Sequence, residues 1–114
     1  MTRDQFRRLA LTFPEAVESA HMEHPDFRVR GKIFATLGYP NDRHAMVKLT
    51  PGQQADCMDA DPSEAFAPAA GTWGQRGATT VLLQAAKADL VRSALADAWK
   101  NVAPKTLVAA TRKS

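Results

Sequence analysis

Strand-like segments follow one another closely between residues 16 and 50, and this close spacing constrains the fold more than any other feature. Residues 27–30 alternate between apolar and charged side chains, residues 32–37 are rich in Ile, Phe and Thr, and residues 44–49 alternate again. A period of two is typical of half-buried strands. Connections this short join strands as hairpins, because parallel neighbours need a crossover of a dozen or more residues. The sequence therefore predicts an antiparallel sheet.

The first of these hairpins is expected to hold a group of cations on one side of the sheet. Gly31 lies between its two strands, where a tight turn is expected. A shift of one residue in register moves every side chain to the opposite face, so the loop length can be tested by matching faces. We predict a three-residue loop, which separates the apolar side chains Phe27, Ile33, Ala35 and Leu37 from the cations Arg28 and Lys32.

Two helices begin with recognisable caps. Thr2 with Gln5, and Thr50 with Gln53, have the spacing of capping boxes, in which each side chain binds the backbone N–H of the other residue. The first helix is expected to end near Pro14, because the residue before a proline avoids the helical region.

The second half of the chain adds a loop, a strand and a helix. Residues 62–77 hold three of the six glycines and are predicted as a long ordered loop, followed by a strand over 79–83. Apolar residues recur at helical spacing over 87–102, which predicts a final helix. The expected fold is α+β, an antiparallel sheet with helices packed on one face.

The length of 114 residues suits one compact domain with a real core. We expect a single α+β domain over residues 1–108 and a basic C-terminal tail over 109–114. The net charge is +3, but residues 99–114 contain four cations and no acid, so the rest of the chain carries a net charge of −1. The basic balance alone is therefore not evidence for a basic binding face.

The composition also bears on the cellular setting. Cys57 is the only cysteine, which excludes an internal disulfide framework and any site built from several thiolates. No apolar run approaches the roughly 20 residues of a membrane span. The first residues lack the long apolar segment of a signal peptide. A cytoplasmic monomer that does not associate with membranes is expected.

Five short motifs occur in order along the chain. They are HPDFRVRGKIFA at 24–35, VKL at 47–49, ADPSEAF at 60–66, WGQRG at 73–77 and AWKNVAPK at 98–105. This ordered set, within roughly residues 6–108, resembles the MmcQ/YjbR family of small bacterial proteins. The resemblance implies an α+β fold similar to that of the frataxin-like CyaY proteins. It also implies DNA binding through a double-wing arrangement.

Two features of the sequence depart from what these relationships imply. An aromatic residue is expected beside Gly77, in a Gly-Trp-Thr pattern, where this chain has Ala78. Any ligand surface that the aromatic residue forms in relatives is therefore altered here. The acidic first-helix surface of frataxins is replaced by Arg3, Arg7 and Arg8, so iron binding is not carried across with the fold.

The candidate nucleic-acid contacts lie on the hairpin, in the following strand, in the glycine-rich loop and just after the final helix. They are Arg28, Arg30, Lys32, Lys48, Trp73, Arg76 and Lys105. The cations would meet phosphates and make binding salt-dependent, and the tryptophan would stack on a base. The alternative is a solvated strand face, on which Lys and Arg suppress pairing between sheet edges. The acidic stretch over residues 56–64 argues against an extended contact on its own face.

A second hypothesis is a non-catalytic module that binds a small molecule or a protein. Its cleft would be lined by Phe34, Phe66, Trp73 and Trp99, since ligand pockets are mostly apolar. Trp99 is otherwise expected in the core or at its rim.

Enzymatic and metal-binding functions are not expected. His21 and His24 have a spacing that can chelate, but zinc needs three or four ligands held by further contacts. Cys57 is predicted to be a small core residue, since nothing near it in the sequence would activate a thiolate. A phosphate-binding loop follows a strand and opens a helix, and the glycines at 71, 74 and 77 are predicted to do neither. They are predicted to make turns around Trp73. No catalytic constellation and no cofactor is predicted.

Overall fold

The computed structural model describes residues 1–112 and contains one antiparallel sheet with five helices. The elements are α1 (Arg3–Ala10), β1 (Val17–His21), β2 (His24–Val29), β3 (Lys32–Leu37), β4 (His44–Lys48), α2 (Pro51–Ala60), β5 (Phe66–Pro68), α3 (Gly71–Gln75), β6 (Ala78–Leu82), α4 (Ala88–Val102) and α5 (Lys105–Arg112). The strand order is β1-β2-β3-β4-β6-β5, and every neighbouring pair is antiparallel. The predicted α+β fold is confirmed.

The main core lies between one face of the sheet and the helices α1 and α4. Phe6 of α1, Phe27 and Val47 of the sheet, and Leu95 of α4 are fully buried in one cluster. Trp99 joins them at 2% exposure and donates its indole N–H to the Pro14 carbonyl over 3.0 Å. Its predicted place in the core is confirmed, and α1 and α4 pack on one face of the sheet as expected.

Both predicted capping boxes are present. Thr2 Oγ1 accepts from the Gln5 N–H at 3.1 Å, and the Gln5 carboxamide accepts from the Thr2 N–H at 2.8 Å. The same pair of bonds joins Thr50 and Gln53 at 3.2 and 2.9 Å. These bonds satisfy backbone donors that the first helical turn would otherwise leave unpaired, which fixes where α1 and α2 begin.

The predicted three-residue loop between β2 and β3 is wrong. Val29 pairs with Lys32, so the loop contains only Arg30 and Gly31. Both have positive φ values, 51° and 81°, as a tight hairpin turn requires.

A β-bulge explains why the matching of faces predicted a loop with an odd number of residues. Phe27 lies opposite Ala35, whereas its neighbour Arg28 lies opposite Ile33, which leaves Phe34 as an extra residue in β3. The extra residue shifts the faces by one position, as a longer loop would have done. Phe27 and Ala35 therefore share the core face as predicted, but Ile33 pairs with Arg28 instead. Lys32 pairs with Val29, so Arg28 and Lys32 lie on opposite faces, and the prediction that they share one side of the sheet is wrong.

Residues 62–77 are not one loop. They include β5, which pairs with β6, and α3, a short helix that packs beside both strands. At the C-terminus, α5 crosses the expected boundary between residues 108 and 109. The rest of the expected tail, residues 113–114, lies outside the described residues. Among residues 1–112, no helix is both long enough and apolar enough to cross a bilayer.

Candidate nucleic-acid interface

The candidate residues gather at one end of the sheet. Arg30 and Lys32 belong to the β2–β3 turn at that end. Because β3 and β4 are antiparallel, the last residue of β4, Lys48, lies beside the start of β3. Lys48 is also directly opposite Ala78, the first residue of β6, which Arg76 precedes by two positions.

The C-terminal end of α4 reaches the same place. The Asn101 side-chain amide donates to the Lys48 carbonyl at 2.9 Å and to Gln53 Oε1 at 2.8 Å. Lys105 follows Asn101 by four residues, so it lies within about 14 Å of it along the chain. We call this region, formed by Lys32, Lys48, Arg76 and Lys105 with the side chain of Trp73, the basic end.

Arg28 has its charge compensated by a buried partner. Its Nε and Nη2 donate to the two carboxylate oxygens of Asp26 at 2.7 and 3.0 Å, and the Asp26 side chain is fully buried. The hydrogen bond from Arg28 lowers the pKa of Asp26, against the effect of burial, and the hydrogen bond from His21 lowers it further. Removing Arg28 would take away two of the three side-chain hydrogen bonds that the buried Asp26 carboxylate makes, so Arg28 stabilises the sheet face.

Arg30 also has a carboxylate partner. Its Nε and Nη2 donate to Glu15 at 2.6 and 3.0 Å, and this hydrogen bonding lowers the pKa of Glu15. The pair is about half exposed, so its contribution to stability is small. Of the seven candidates, these two arginines are the ones whose charge is already neutralised.

The other four cations have no such partner. Within residues 1–112, no salt bridge reaches Lys32, Lys48, Arg76 or Lys105. They do not protect a sheet edge either, because β2, β3, β4 and β6 are all interior strands. The alternative explanation by edge protection is therefore wrong for this hairpin.

Three of the candidates surround one concavity. Lys48, Trp73 and Arg76, with Leu49 and Ala78, line an open space of about 320 Å³. Lys48 and Ala78 are cross-strand partners on the face of the sheet opposite the main core, where Met46, Ala69, Ala78 and Tyr39 form a smaller cluster. The position at which the family resemblance implied an aromatic residue thus forms part of this concavity as an alanine.

The segment that carries Trp73 is held tightly. Gln54 of α2 donates through its side-chain amide to the carbonyls of Gly74 and Ala78, each at 3.1 Å. A Cβ on Gly74 would lie 1.8 Å from the Ala69 carbonyl oxygen, so only glycine permits this approach. The prediction that these glycines make turns around Trp73 is wrong for Gly71 and Gly74, because both lie in the short helix α3, which begins shortly after β5. Nothing in the sequence singled out Gln54.

The predicted aromatic cleft is wrong. Phe34, Phe66 and Trp99 are at most 4% exposed and belong to the main core. Trp73 does not belong to that core, and 55% of its surface is exposed. The four rings therefore do not line a common space. The side chains that do share a concavity with Trp73 are mostly cationic or small.

The structure also shows the surroundings of His21 and Cys57. The His21 ring lies 2.7 Å from Asp26 through Nδ1, so it takes part in the Arg28 network. In the described part of the chain, no group of three or more His, Cys, Asp or Glu side chains could hold a metal ion. Burial, with Asp61 and Asp97 nearby, raises the pKa of Cys57 to about 11, so its thiol is protonated at neutral pH.

The chain is similar to known proteins in both its sequence and its fold. The YjbR family model matches residues 11–101, which is most of the chain. The fold is similar to the crystal structure of the Deinococcus radiodurans protein DR2400, which has a DUF419 domain. That likeness has a TM-score of 0.74 at 22% identity and covers 98% of this chain and 86% of the other. A comparison with curated proteins finds no match.

Proposed function

This chain belongs to the YjbR family, and we propose that it binds nucleic acid through the basic end of its sheet. One observation carries the proposal. Four cations that form no salt bridge within residues 1–112, and an exposed tryptophan, come from four separate parts of the chain to one end of the fold. Phosphate binding is the chemistry that such a group of cations serves best, since each contact releases a counterion from the nucleic acid.

The charge distribution of the rest of the molecule supports the same surface. The acidic residues of α2 lie in its second half, which runs away from the basic end: Asp56 and Asp59, followed by Asp61. Arg28 and Arg30 are not needed as phosphate contacts, because Asp26 and Glu15 hold them. The proposal therefore keeps Lys32, Lys48, Trp73, Arg76 and Lys105 of the seven sequence candidates.

The role proposed is binding without catalysis. The basic end contains three lysines, one arginine and one tryptophan. Lysine and arginine side chains bind and position phosphates through their charge and their N–H donors.

A pair of charge-reversal variants tests the proposal. Non-specific binding at physiological salt has a Kd of about 10⁻⁶ to 10⁻⁴ M, and fluorescence anisotropy at about 50 mM salt should give a lower Kd than this for a labelled oligonucleotide of mixed sequence. The double variant K48E/R76E should weaken binding at least tenfold. The control K87E/R92E changes the net charge by the same amount at two exposed positions, the N-cap and the first half of α4, away from the basic end. It should change the Kd less than threefold.

The salt dependence gives a second measurement. If all four unpaired cations meet phosphates, log K should fall with log salt with a slope of about −3 for a single strand. K48E/R76E should reduce the magnitude of this slope by about half. Absence of binding at 50 mM salt, or an equal loss in both double variants, would refute a specific role for the basic end.

A further inference from the structure

We infer that the concavity beside Trp73 takes an unpaired nucleobase, which makes single-stranded nucleic acid, and not duplex, the preferred ligand of this protein. The inference rests on the proposed function and specifies its ligand. It follows from the shape of the concavity, from the exposure of the indole and from the way the loop is held.

The concavity has the parts that a base with its phosphates would need. Its volume of about 320 Å³ is at the lower end of the range for small-molecule sites. Leu49 and Ala78 supply apolar surface, and Trp73 supplies an aromatic ring. Lys48 and Arg76 stand at the same space, so phosphates on either side of a bound base would meet a positive charge.

Ala78 is what leaves the space open. Residues directly opposite each other in an antiparallel pair have Cβ atoms about 5 Å apart, and Lys48 and Ala78 are such a pair. An alanine adds only a methyl group at this point, so the volume between the Lys48 stem and Trp73 is not filled by the chain itself. A large side chain at residue 78 would occupy the place proposed for the base.

The exposure of Trp73 is maintained by its surroundings. A tryptophan is usually buried to a large extent, yet Trp73 is 55% exposed. The bonds from Gln54 to Gly74 and Ala78, and the glycines that approach neighbouring backbone, hold α3 in place. Because this helix is already ordered, a stacked base would not have to offset the entropy of fixing it.

An indole that shares a concavity with two cations distinguishes paired from unpaired bases. In a duplex the faces of the bases are covered by their neighbours, so the protein meets only phosphates and base edges. An unstacked base offers a face that can lie on Trp73 while its backbone lies on Lys48 and Arg76. Only the single strand uses all three side chains at once.

Three labelled probes of equal length separate the contributions. They are a single-stranded DNA of mixed sequence, its duplex, and a strand with abasic sites throughout, which keeps the phosphates and lacks the bases. Wild type should bind the single strand more tightly than either of the others. Trp73→Ala should weaken single-strand binding by about 5-fold to 150-fold, the range measured for loss of one stacked base. It should leave the duplex and the abasic strand within twofold of wild type.

A conservative variant and a filled variant complete the design. Trp73→Phe should restore most of the single-strand affinity, because it keeps an aromatic face. Ala78→Leu should reduce single-strand affinity while Trp73 is still present, since the added side chain fills the concavity. Thermal unfolding of each variant verifies that it is folded.

The possible results are distinct. Equal affinity of wild type for all three probes, with no effect of Trp73→Ala, would overturn the inference and leave phosphate binding at the basic end in place. An equal loss for duplex and single strand in Trp73→Ala would indicate a wedge between base pairs and would also overturn it. No binding of any probe at 50 mM salt would overturn both the inference and the proposed function.

Discussion

Replacing Gly77 with alanine is expected to cause a large loss of stability. Gly77 directly precedes β6, and its φ of +110° is in a region that side chains rarely adopt. A Cβ there would lie 2.0 Å from the Leu49 carbonyl oxygen and 2.6 Å from the Thr50 carbonyl carbon. Both contacts are with backbone, so relief requires the end of β4 and the start of β6 to move apart by about 1 Å.

The magnitude follows from two separate costs. A left-handed conformation costs an L-residue about 1–2 kcal/mol. Forcing extra atoms into a packed site costs about 1–3 kcal/mol more. Gly77→Ala should therefore lower the free energy of unfolding by about 2–5 kcal/mol, a large part of the roughly 5–15 kcal/mol of a typical domain. The expected fall in Tm is about 10–20 °C.

Three other glycines provide matched controls for the same chemical change. Gly52, in the first turn of α2, has neither a positive φ nor an atom within 4 Å of the added methyl. Gly31 has the positive φ alone, and Gly74 has the close approach alone. Gly52→Ala should be neutral or stabilising by up to about 1 kcal/mol. The losses at Gly31 and Gly74 should together approach the loss at Gly77.

Urea unfolding followed by far-UV circular dichroism measures all four variants. The expected order of stability is Gly52→Ala highest, the Gly31 and Gly74 variants intermediate, and Gly77→Ala lowest. A Gly77→Ala protein as stable as Gly31→Ala would show that the contact with Leu49 is not tight. A silent Gly74→Ala would show the same for the segment that holds Trp73.

Two further predictions concern titratable groups. Asp26→Asn should lower the urea midpoint at pH 7, because Arg28 loses its carboxylate partner. The folded pKa of Asp26 is lowered, so this contribution is present above its ordinary value near 3.9 and is lost as the pH falls through the folded pKa. The difference between wild type and variant should shrink between pH 7 and pH 2, and a constant difference would contradict it. Cys57, with its pKa raised to about 11, should react with iodoacetamide at pH 8 about a hundredfold more slowly in the folded protein than in urea; equal rates would contradict the burial of its thiol.

Features encoded by nearby residues could be predicted from the sequence. The capping boxes at Thr2 and Thr50 involve residues three positions apart, so the sequence pattern alone identifies the hydrogen bonds that form. The antiparallel sheet followed from short connections. The bulge at Phe34 could not be predicted, because alternation of faces cannot distinguish an extra residue in a strand from an extra residue in a loop.

The glycine-rich segment that contains α3 could not be predicted from nearby residues. α3 has five residues, two of them glycine, and no helical periodicity, so nothing local predicts it. Its position depends on Gln54, some twenty residues earlier, and on glycine contacts with distant backbone. Such contacts exist only once the strands have paired.

The sequence identified the cations of the candidate site, but it did not show which of them form ion pairs. Charge and motif selected the cations, but they did not show which of them have partners. Glu15 is fifteen residues from Arg30, and their pairing depends on the hairpin. Asp26 and Arg28 are two apart on one strand and therefore share a face, so that pair could have been predicted.

The order of strands in the sheet also determines when the binding surface can exist during synthesis. β6 lies between β4 and β5, although it follows both in the chain. Thirty-four residues separate Lys48, the last of β4, from Leu82, the last of β6. At about 5–20 residues per second, the ribosome leaves the outer edge of β4 without its partner for about 2–7 seconds. Lys48 meets Trp73, Arg76 and Ala78 only when that interval ends, so an incomplete chain presents an open strand edge and no concavity.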